Sequence, residues 1–405
     1  MAETADSLTA SSTPSPANSA AADHRSARVF GLDLLRAAAI LSVLFAHLFA
    51  VLYPHVWWLG LLGHGGFYGV ELFFVLSGFL IGKILVARGP DFATGGALPE
   101  FYLRRWFRTL PLFWLLLAAN VLLDRYEQSV HYPVSVVLEQ GFFLRNFASY
   151  RMAFAPESWS LAVEEWFYLL FPAALWLGLR LRARFDRVFL LTAASFYLFS
   201  TCARLASAPH DYATWGEWQR VIVVNRFDAI MTGMIGAWLA SRSPAMWRRS
   251  AVFCAVAGCL LLLAMYASLW RIQGNWVAAG ADAFFARTWR FNLVSLGFAL
   301  LLPAASTWTL TTENFASLSI RRIALWSYAM YLVQHPLSRL IMPYFFKDWP
   351  TSALQAWSLF ATVLGATIAL SALLHHAFEA PCTRLRDRVA PALLRRFFRP
   401  PAKPA

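Results

Sequence analysis

The chain has 405 residues, of which 59% are hydrophobic and only 14% are charged. Because soluble domains carry about 25% charged residues, this composition excludes an ordinary soluble protein. The formal net charge of +13 does not indicate nucleic-acid binding, since the basic residues lie in short blocks between apolar runs, as the positive-inside rule describes for membrane proteins.

Residues 1–28 are rich in Ser, Ala, Thr and Pro, a composition typical of a disordered tail. Residues 29–385 contain ten apolar runs, and about 20 such residues are enough to cross a bilayer as a helix. The sequence therefore predicts an all-α, polytopic membrane bundle of about ten transmembrane helices, followed by a basic tail at 386–405. The predicted spans are 31–53, 65–86, 107–124, 159–179, 188–206, 221–241, 251–270, 291–308, 323–345 and 354–378.

Basic residues concentrate in alternate loops and in the C-terminal tail, whereas the loop at 54–64 has no Lys or Arg. An excess of Lys and Arg marks cytoplasmic loops. We therefore predict that both termini are cytoplasmic. The basic loop residues are Lys83, Arg88, Arg104, Arg105, Arg108, Arg180, Arg182, Arg184, Arg187, Arg242, Arg248, Arg249, Arg321 and Arg322.

An arginine and a histidine share one face of the first predicted span. Arg36 and His47 are eleven positions apart, which is about three helical turns and about 16 Å along the axis. Arg36 is predicted near the cytoplasmic edge and His47 in the outer half of the bilayer. Since ionisable residues inside a span are costly and mark functional sites by default, we predict that both belong to the site.

Four further ionisable residues are predicted at the depth of His47. They are Glu71 in the second span, Glu164 and Glu165 in the fourth, and His335 in the ninth. A carboxylate beside a histidine orients the imidazole for general-base catalysis, so we predict Glu71 as the first partner of His47 and Glu164 as the second. Two alternatives stay open: the histidines bond neighbouring carbonyls, or the glutamates pair with buried arginines.

An arginine cluster lies at the start of the third predicted span. Arg104, Arg105 and Arg108 are close neighbours on a helix, at spacings of three and four residues. Such a cluster can bind phosphate through several charge-assisted hydrogen bonds. The alternative is that these arginines only anchor the span at the cytoplasmic surface.

Motifs follow one another in order along most of the chain. They are Gly31-Leu32-Asp33 with Arg36-x10-His47, Gly66-Phe67-Tyr68-Gly69-Val70-Glu71, Arg105-Trp106-Phe107-Arg108 with Pro111, Ser158-Trp159-Ser160-Leu161-x-x-Glu164-x-x-Phe167-Tyr168, Ser327-Tyr328-Ala329-Met330-Tyr331-x-x-x-His335-Pro336, and Phe378-Glu379-x-Pro381. This ordered set resembles the acyltransferase-3 family of integral-membrane O-acyltransferases over about residues 29–385. One departure is Glu71, where many members have Asp.

The resemblance implies transfer of an acyl group, usually acetyl from acetyl-CoA, onto a hydroxyl of a sugar or other exported molecule. It implies His47 as the catalytic base, Arg36 as support for the same site or the donor path, and Arg105 and Arg108, with Arg104 beside them, as ligands of coenzyme A phosphates. The expected partners are an acyl-CoA donor, a carbohydrate or glycolipid acceptor and the bilayer. The residues expected to orient these groups or to contact substrate are Asp33, Glu71, Glu164, Trp159, Ser160, Tyr168 and His335.

Three other functions stay open from the sequence. A proton-coupled transporter or flippase of a glycan precursor also uses intramembrane His, Glu and Arg. A subunit of a polysaccharide assembly complex would not need the pairing of His47 with Glu71. A metal-dependent hydrolase would use His47, His64 and Glu71, but His64 lies in a loop with glycines, and we expect no metal.

Overall fold

A computed structural model describes residues 29–52, 55–56, 65–94, 96–127, 132–149, 154–181, 184–207, 219–273, 285, 288–345, 350 and 352–397. Across these residues the regular elements are helices, which confirms the predicted all-α class. Thirteen α-helices are described there: α1 Phe30–Leu52, α2 Gly65–Arg88, α3 Ala97–Tyr126, α4 Val134–Gly141, α5 Trp159–Arg180, α6 Phe185–Ala206, α7 Phe227–Arg242, α8 Pro244–Arg249, α9 Ala251–Gln273, α10 Trp289–Thr307, α11 Phe315–Phe345, α12 Ala353–Leu374 and α13 Ala380–Phe397.

Each of the ten predicted spans overlaps one helix of this set, although the span predicted at 221–241 begins only at Phe227, in α7. Within the described residues, eight helices are long and apolar enough to cross a membrane. The other two are α7, which has only 16 residues, and α11, which carries polar residues along much of its length. Ten crossings and cytoplasmic termini therefore stay predictions, while the polytopic helical bundle is confirmed.

Helix α2 lies at the centre of the bundle, packed against α1 on one side and α7 on the other. Two glycines bring α2 and α7 together, because a Cβ atom at Gly78 would overlap the carbonyl oxygen of Ile230 and one at Gly233 would overlap that of Val75. Small residues allow such close approach between membrane helices. This contact places the Ser77 side of α2 in a fixed orientation.

Helix α3 begins ten residues before the predicted span at 107–124. Its first turns hold Glu100, which bonds Arg88 at 2.7 Å and Arg104 at 2.8 Å. These ion pairs satisfy a charged segment that an apolar pattern does not identify as helix. As a result the predicted arginine cluster lies within α3 rather than in front of it.

The C-terminal segment continues the helical structure beyond α12. A π-helical turn at His375–Glu379 leads into α13, which packs along α3. The predicted boundary between residues 385 and 386 therefore falls inside a helix. The predicted tail at 1–28 and residues 398–405 lie outside the described residues.

Candidate active site

A cavity of about 1280 Å³ lies between α1, α2, α3, α5 and α11, larger than the roughly 300–1,000 Å³ of most ligand pockets. Tyr328 and Tyr331 of α11 and Ser77 of α2 contribute hydroxyl groups to its wall. Half of the twelve predicted site residues line it, so helices distant in sequence place them around one space. These six residues are Asp33, Arg36, Arg105, Arg108, Ser160 and Glu164.

Three arginines, Arg36, Arg105 and Arg108, form what we call the arginine layer. The guanidinium of Arg105 lies 4.1 Å from the ring centroid of Tyr168. The Tyr168 hydroxyl donates a hydrogen bond of 2.9 Å to Glu164 Oε2 and is also hydrogen-bonded to Ser77 Oγ. A cation, a phenol and a carboxylate are thus held together at the cavity wall, where they favour binding of a polar or charged group.

The structure corrects the predicted depth of Glu164 and Glu165. Both carboxylates interact electrostatically with Arg105, whereas the sequence placed them at the depth of His47. The prediction counted residues from an assumed helix start and ignored both the early start of α3 and the reach of the arginine side chain. The Glu164 carboxylate therefore lies beside the arginine layer.

The three arginines predicted to bind phosphate have different surroundings. Arg105 and Arg108 line the cavity, with Arg36 and Glu379 among the charged neighbours of Arg108. The Arg104 side chain is 58% exposed and bonds Glu100, outside the set of cavity-lining residues. Of the three, only Arg105 and Arg108 are therefore placed to contact a ligand in the cavity.

Ser160 and Tyr331, which line the cavity, belong to a chain of hydrogen bonds that we call the polar wall. Ser160 Oγ donates to the Tyr331 hydroxyl at 2.6 Å, and that hydroxyl donates to the backbone oxygen of Glu157 at 2.8 Å. The neighbouring Trp159 packs edge-on against Phe74, with ring centroids 6.0 Å apart. Ser160 and Tyr331 line the cavity with the arginine layer, whereas His47 and His335 do not line it.

His47 and His335 form what we call the histidine layer. His47 is exposed and is not among the residues that line the cavity. Its polar neighbours include Gln334 and Arg220. It also interacts electrostatically with His335. His335 Nδ1 in turn lies 3.5 Å from Glu157 Oε2. The two predicted histidines are therefore brought together beside Glu157, whereas Arg105 and Arg108 line the cavity.

The predicted carboxylate partners of His47 bond other groups. Glu71 is fully buried and forms an ion pair with the equally buried Arg226, and Ser295 Oγ donates to its other oxygen at 3.2 Å. Glu164 accepts from Tyr168. For Glu71 the structure thus gives the alternative already open from the sequence, a glutamate paired with a buried arginine.

Comparison with known proteins agrees with this arrangement of motifs. A family model described as an acyltransferase domain matches residues 29–376. The chain belongs to the acyltransferase-3 family. The predicted resemblance is thereby confirmed, and the membership together with the apolar helices makes the chain a multi-pass integral membrane protein.

Two curated relatives show how far the likeness extends. The peptidoglycan O-acetyltransferase OatA of Listeria monocytogenes is 32% identical over 160 residues, which cover 36% of this chain and 24% of OatA. YrhL of Bacillus subtilis, provisionally named a peptidoglycan O-acetyltransferase, is 36% identical over 165 residues, 37% of this chain and 24% of YrhL. The match thus spans about a quarter of each relative. No solved structure matches the chain.

Two arginines of this acyltransferase-family chain, Arg220 and Arg226, were missed by sequence reasoning. The guanidinium of Arg220 lies 5.2 Å from the ring centroid of Trp159, and its charged or polar neighbours include His47, Tyr331 and Glu71. In the predicted topology both arginines lie toward the outer side of the membrane, where the positive-inside rule expects few basic residues. That violation was the available signal, because a cation kept on the unfavourable side needs a specific reason.

A metal centre was also considered from the sequence. Among the described residues no group of three or more His, Cys, Asp or Glu side chains is placed to hold a metal ion. His64, which the hydrolase alternative required, lies outside the described residues. His47 has Arg220 as a neighbour, and a nearby cation disfavours binding of a second positive charge.

Proposed function

We propose that the protein is an integral-membrane O-acetyltransferase that moves an acetyl group from acetyl-CoA to a hydroxyl of a cell-surface carbohydrate. The observation that supports it most directly is the division of the site. The arginine layer lines a large cavity, whereas the exposed His47 does not line it and has Gln334 and Arg220 as neighbours instead. This division suits a donor and an acceptor that approach from opposite sides of a membrane.

The cavity suits a coenzyme A thioester as donor. Guanidinium groups bind phosphate through paired charge-assisted hydrogen bonds, and Arg105 and Arg108 are both positioned at the cavity wall. A long arm bound along the cavity would bring its thioester to the Ser160–Tyr331 hydrogen bond. The reacting carbonyl would then lie next to the histidine layer.

His47 is the proposed general base. It would take the proton from the acceptor hydroxyl as that oxygen attacks the thioester carbonyl, and then give the proton to the departing thiolate as the C–S bond breaks. The negative charge that develops on the carbonyl oxygen would be stabilised by Arg220 and Gln334, the polar neighbours of His47. Preorganised donors of this kind often supply the largest catalytic term.

The proposed acceptor is a peptidoglycan sugar, on the strength of the names of the relatives OatA and YrhL. Both come from bacteria, so the proposed location is the bacterial cytoplasmic membrane. The acceptor would approach the histidine layer from the outer side. A separate protein that completes the transfer is compatible with this arrangement.

The proposal is tested with purified protein in proteoliposomes, radiolabelled acetyl-CoA outside and muropeptides or glycan oligomers inside. We expect acetylated glycan from the wild-type protein and a loss of about 10²- to 10⁴-fold for His47→Ala, the range for removal of a general base. His376→Ala is the matched control, since His376 is exposed and packs edge-on against Trp326 with ring centroids 6.4 Å apart.

Full transfer by His47→Ala, with normal protein level, would rule out the base assignment. Glycan crossing the membrane without use of acetyl-CoA would instead indicate the transporter or flippase alternative.

A further inference from the structure

A second cavity of about 360 Å³ adjoins the main one. It lies where α2, α7 and α10 end, beside the short helix α8. Lys83 lines both cavities, so its side chain lies between the two spaces. The residues of its wall used below are Phe79, Lys83, Ser241, Trp247, Arg248 and Thr307.

The wall combines a rigid aromatic surface with hydroxyl groups. Trp247 Nε1 donates to Ser306 Oγ at 2.9 Å, and the indole is parallel to the Phe79 ring, with 5.9 Å between centroids. Ser241 and Thr307 add hydroxyl groups. An aromatic side chain fixed in this way can pack against a flat heterocycle, while hydroxyls bond its polar edge.

Two cations of the second cavity have no acidic partner within the described part of the chain. Lys83 and Arg248 are both exposed, and neither takes part in the salt bridges found there. Nearby basic residues differ: Arg242 bonds Asp186 at 2.6 Å, and Arg321 is paired with Glu313. Lys83 Nζ lies over the Phe79 ring, 5.9 Å from its centroid, so in the described part of the chain it contacts an aromatic ring but no carboxylate. Lys and Arg side chains without an acidic partner at a cavity wall favour a ligand with phosphate groups.

The distance along α2 suits a nucleotide linked to a long arm. Lys83 and Val70 both line the main cavity and are 13 residues apart on α2, which corresponds to about 20 Å of helix. This length is comparable with an extended phosphopantetheine arm. A nucleotide at Lys83 would therefore leave the thioester near the deep end, where Ser160 and Tyr331 lie.

We propose that the second cavity binds the adenosine 3′,5′-bisphosphate part of the donor, with Lys83 at the 5′ phosphates, Arg248 at the 3′ phosphate and Trp247 against the base. This inference rests on the proposed function in one respect, that the donor is a coenzyme A thioester. In this arrangement the main phosphate contacts are Lys83 and Arg248 of the second cavity rather than Arg105 and Arg108. Those two arginines then lie along the path of the arm.

The experiment measures binding by isothermal titration calorimetry to the full chain in nanodiscs of neutral phosphatidylcholine. The probes are coenzyme A, 3′-dephospho-coenzyme A, adenosine 3′,5′-bisphosphate and pantetheine. We expect Lys83→Gln and Arg248→Gln each to weaken binding of coenzyme A and of the bisphosphate by roughly tenfold, the effect of one charge-assisted contact. Pantetheine affinity should not change.

Arg248→Gln has a sharper signature, because it should remove most of the difference in affinity between coenzyme A and its 3′-dephospho form. Arg249→Gln is the matched control: Arg249 is the adjacent exposed arginine of α8 but lines neither cavity. It should bind all four probes like the wild type. A thermal unfolding curve for each variant shows that the fold is retained.

Three results would overturn the inference. The first is a wild-type protein that does not bind the bisphosphate, and the second is unchanged bisphosphate affinity in both Lys83→Gln and Arg248→Gln. The third, measured with short-chain phosphatidylglycerol as a further probe, is a defect limited to binding of this anionic lipid, which would make the cavity a lipid headgroup site. If the predicted binding pattern holds but no acetyl transfer occurs, the proposed function fails while the nucleotide site stands.

Discussion

Glu71 and Glu164 are glutamates of apolar helices, and the sequence offers both as partners of His47, but the structure gives them different surroundings. Glu71 is enclosed with Arg226 and Ser295, with no exposed surface on either member of the ion pair. Glu164 lines the main cavity and accepts from Tyr168. A closed pair holds helices together, whereas a carboxylate at a cavity wall is available to orient groups that meet a ligand.

The comparison also extends to the arginines. Arg226 contacts Glu71 and lies over the Phe291 ring at 4.4 Å. Arg220 is six residues earlier in the chain, lies over Trp159 and has His47 as a neighbour. Arg226 is neutralised by Glu71 inside the bundle, whereas the charge of Arg220 lies near His47. The difference predicts that substitutions at the first site affect stability and those at the second affect turnover.

The largest expected effect is on stability, at Glu71. Glu71→Ala leaves Arg226 as an unpaired buried charge, and breaking such a pair costs about 3–5 kcal/mol. We expect a lower thermal unfolding temperature in detergent and a low yield of folded protein. The double variant Glu71→Leu with Arg226→Met is the control, since replacing both partners with apolar groups is often neutral, and it should recover most of the lost stability.

If the single and double variants are equally unstable, the interaction between Glu71 and Arg226 is not what stabilises the region. The assignment of Glu71 to a closed structural pair would then be wrong.

The next effect is on turnover, at Arg220. Arg220→Gln removes a cation beside His47, and loss of one group that stabilises an oxyanion lowers the turnover number by about 10²- to 10³-fold. The acetyl-transfer assay should show this loss, while the unfolding temperature falls much less than in Arg226→Gln. Equal loss of stability in the two variants would remove the distinction drawn between these arginines.

The smallest effect is expected in the arginine layer. Glu164→Gln keeps a hydrogen-bond acceptor for Tyr168 but loses the charge that faces Arg105, so we expect turnover to fall by about tenfold or more, the effect of one charge-assisted contact. Tyr168→Phe, which loses the hydrogen bond to the Glu164 carboxylate, should cost about 1.5–3 kcal/mol of stability. Steady-state kinetics with varied acetyl-CoA measures the first, and thermal unfolding measures the second.

Normal kinetics for Glu164→Gln would mean that this carboxylate, like Glu71, is structural. In that case both candidates for a catalytic carboxylate would be excluded, and Glu157, which lies beside His335, would be the next acidic residue to test.

The sequence predicted the spans well, because a run of apolar residues must be helical in a bilayer whatever its neighbours are. It was less successful at the start of α3, where Glu100 pairs with Arg88 and Arg104 to stabilise a charged segment as helix. It also identified six residues that do line one cavity. Local pattern was enough there, since Arg105 and Arg108 are close in the chain and α1 carries Asp33 and Arg36 on neighbouring turns.

Partners across helices required the tertiary structure. Glu71 and Arg226 are 155 residues apart in the chain. They meet because Gly78 and Gly233 allow α2 and α7 to pack closely, which fixes the rotation of one helix against the other. A residue count gives depth along a helix but not the direction in which a side chain points. The placement of Glu164 with Arg105 is a second example, decided by the relative height of α3 and α5.

By itself, the sequence determined that this is a polytopic helical membrane protein of the acyltransferase-3 family, because apolar length and ordered motifs are local properties of the chain. Only the tertiary structure decided which charges neutralise one another and which face a cavity or a histidine. The physical reason is that a buried charge needs a partner within a few ångströms, and that partner is supplied by whichever helix packs alongside.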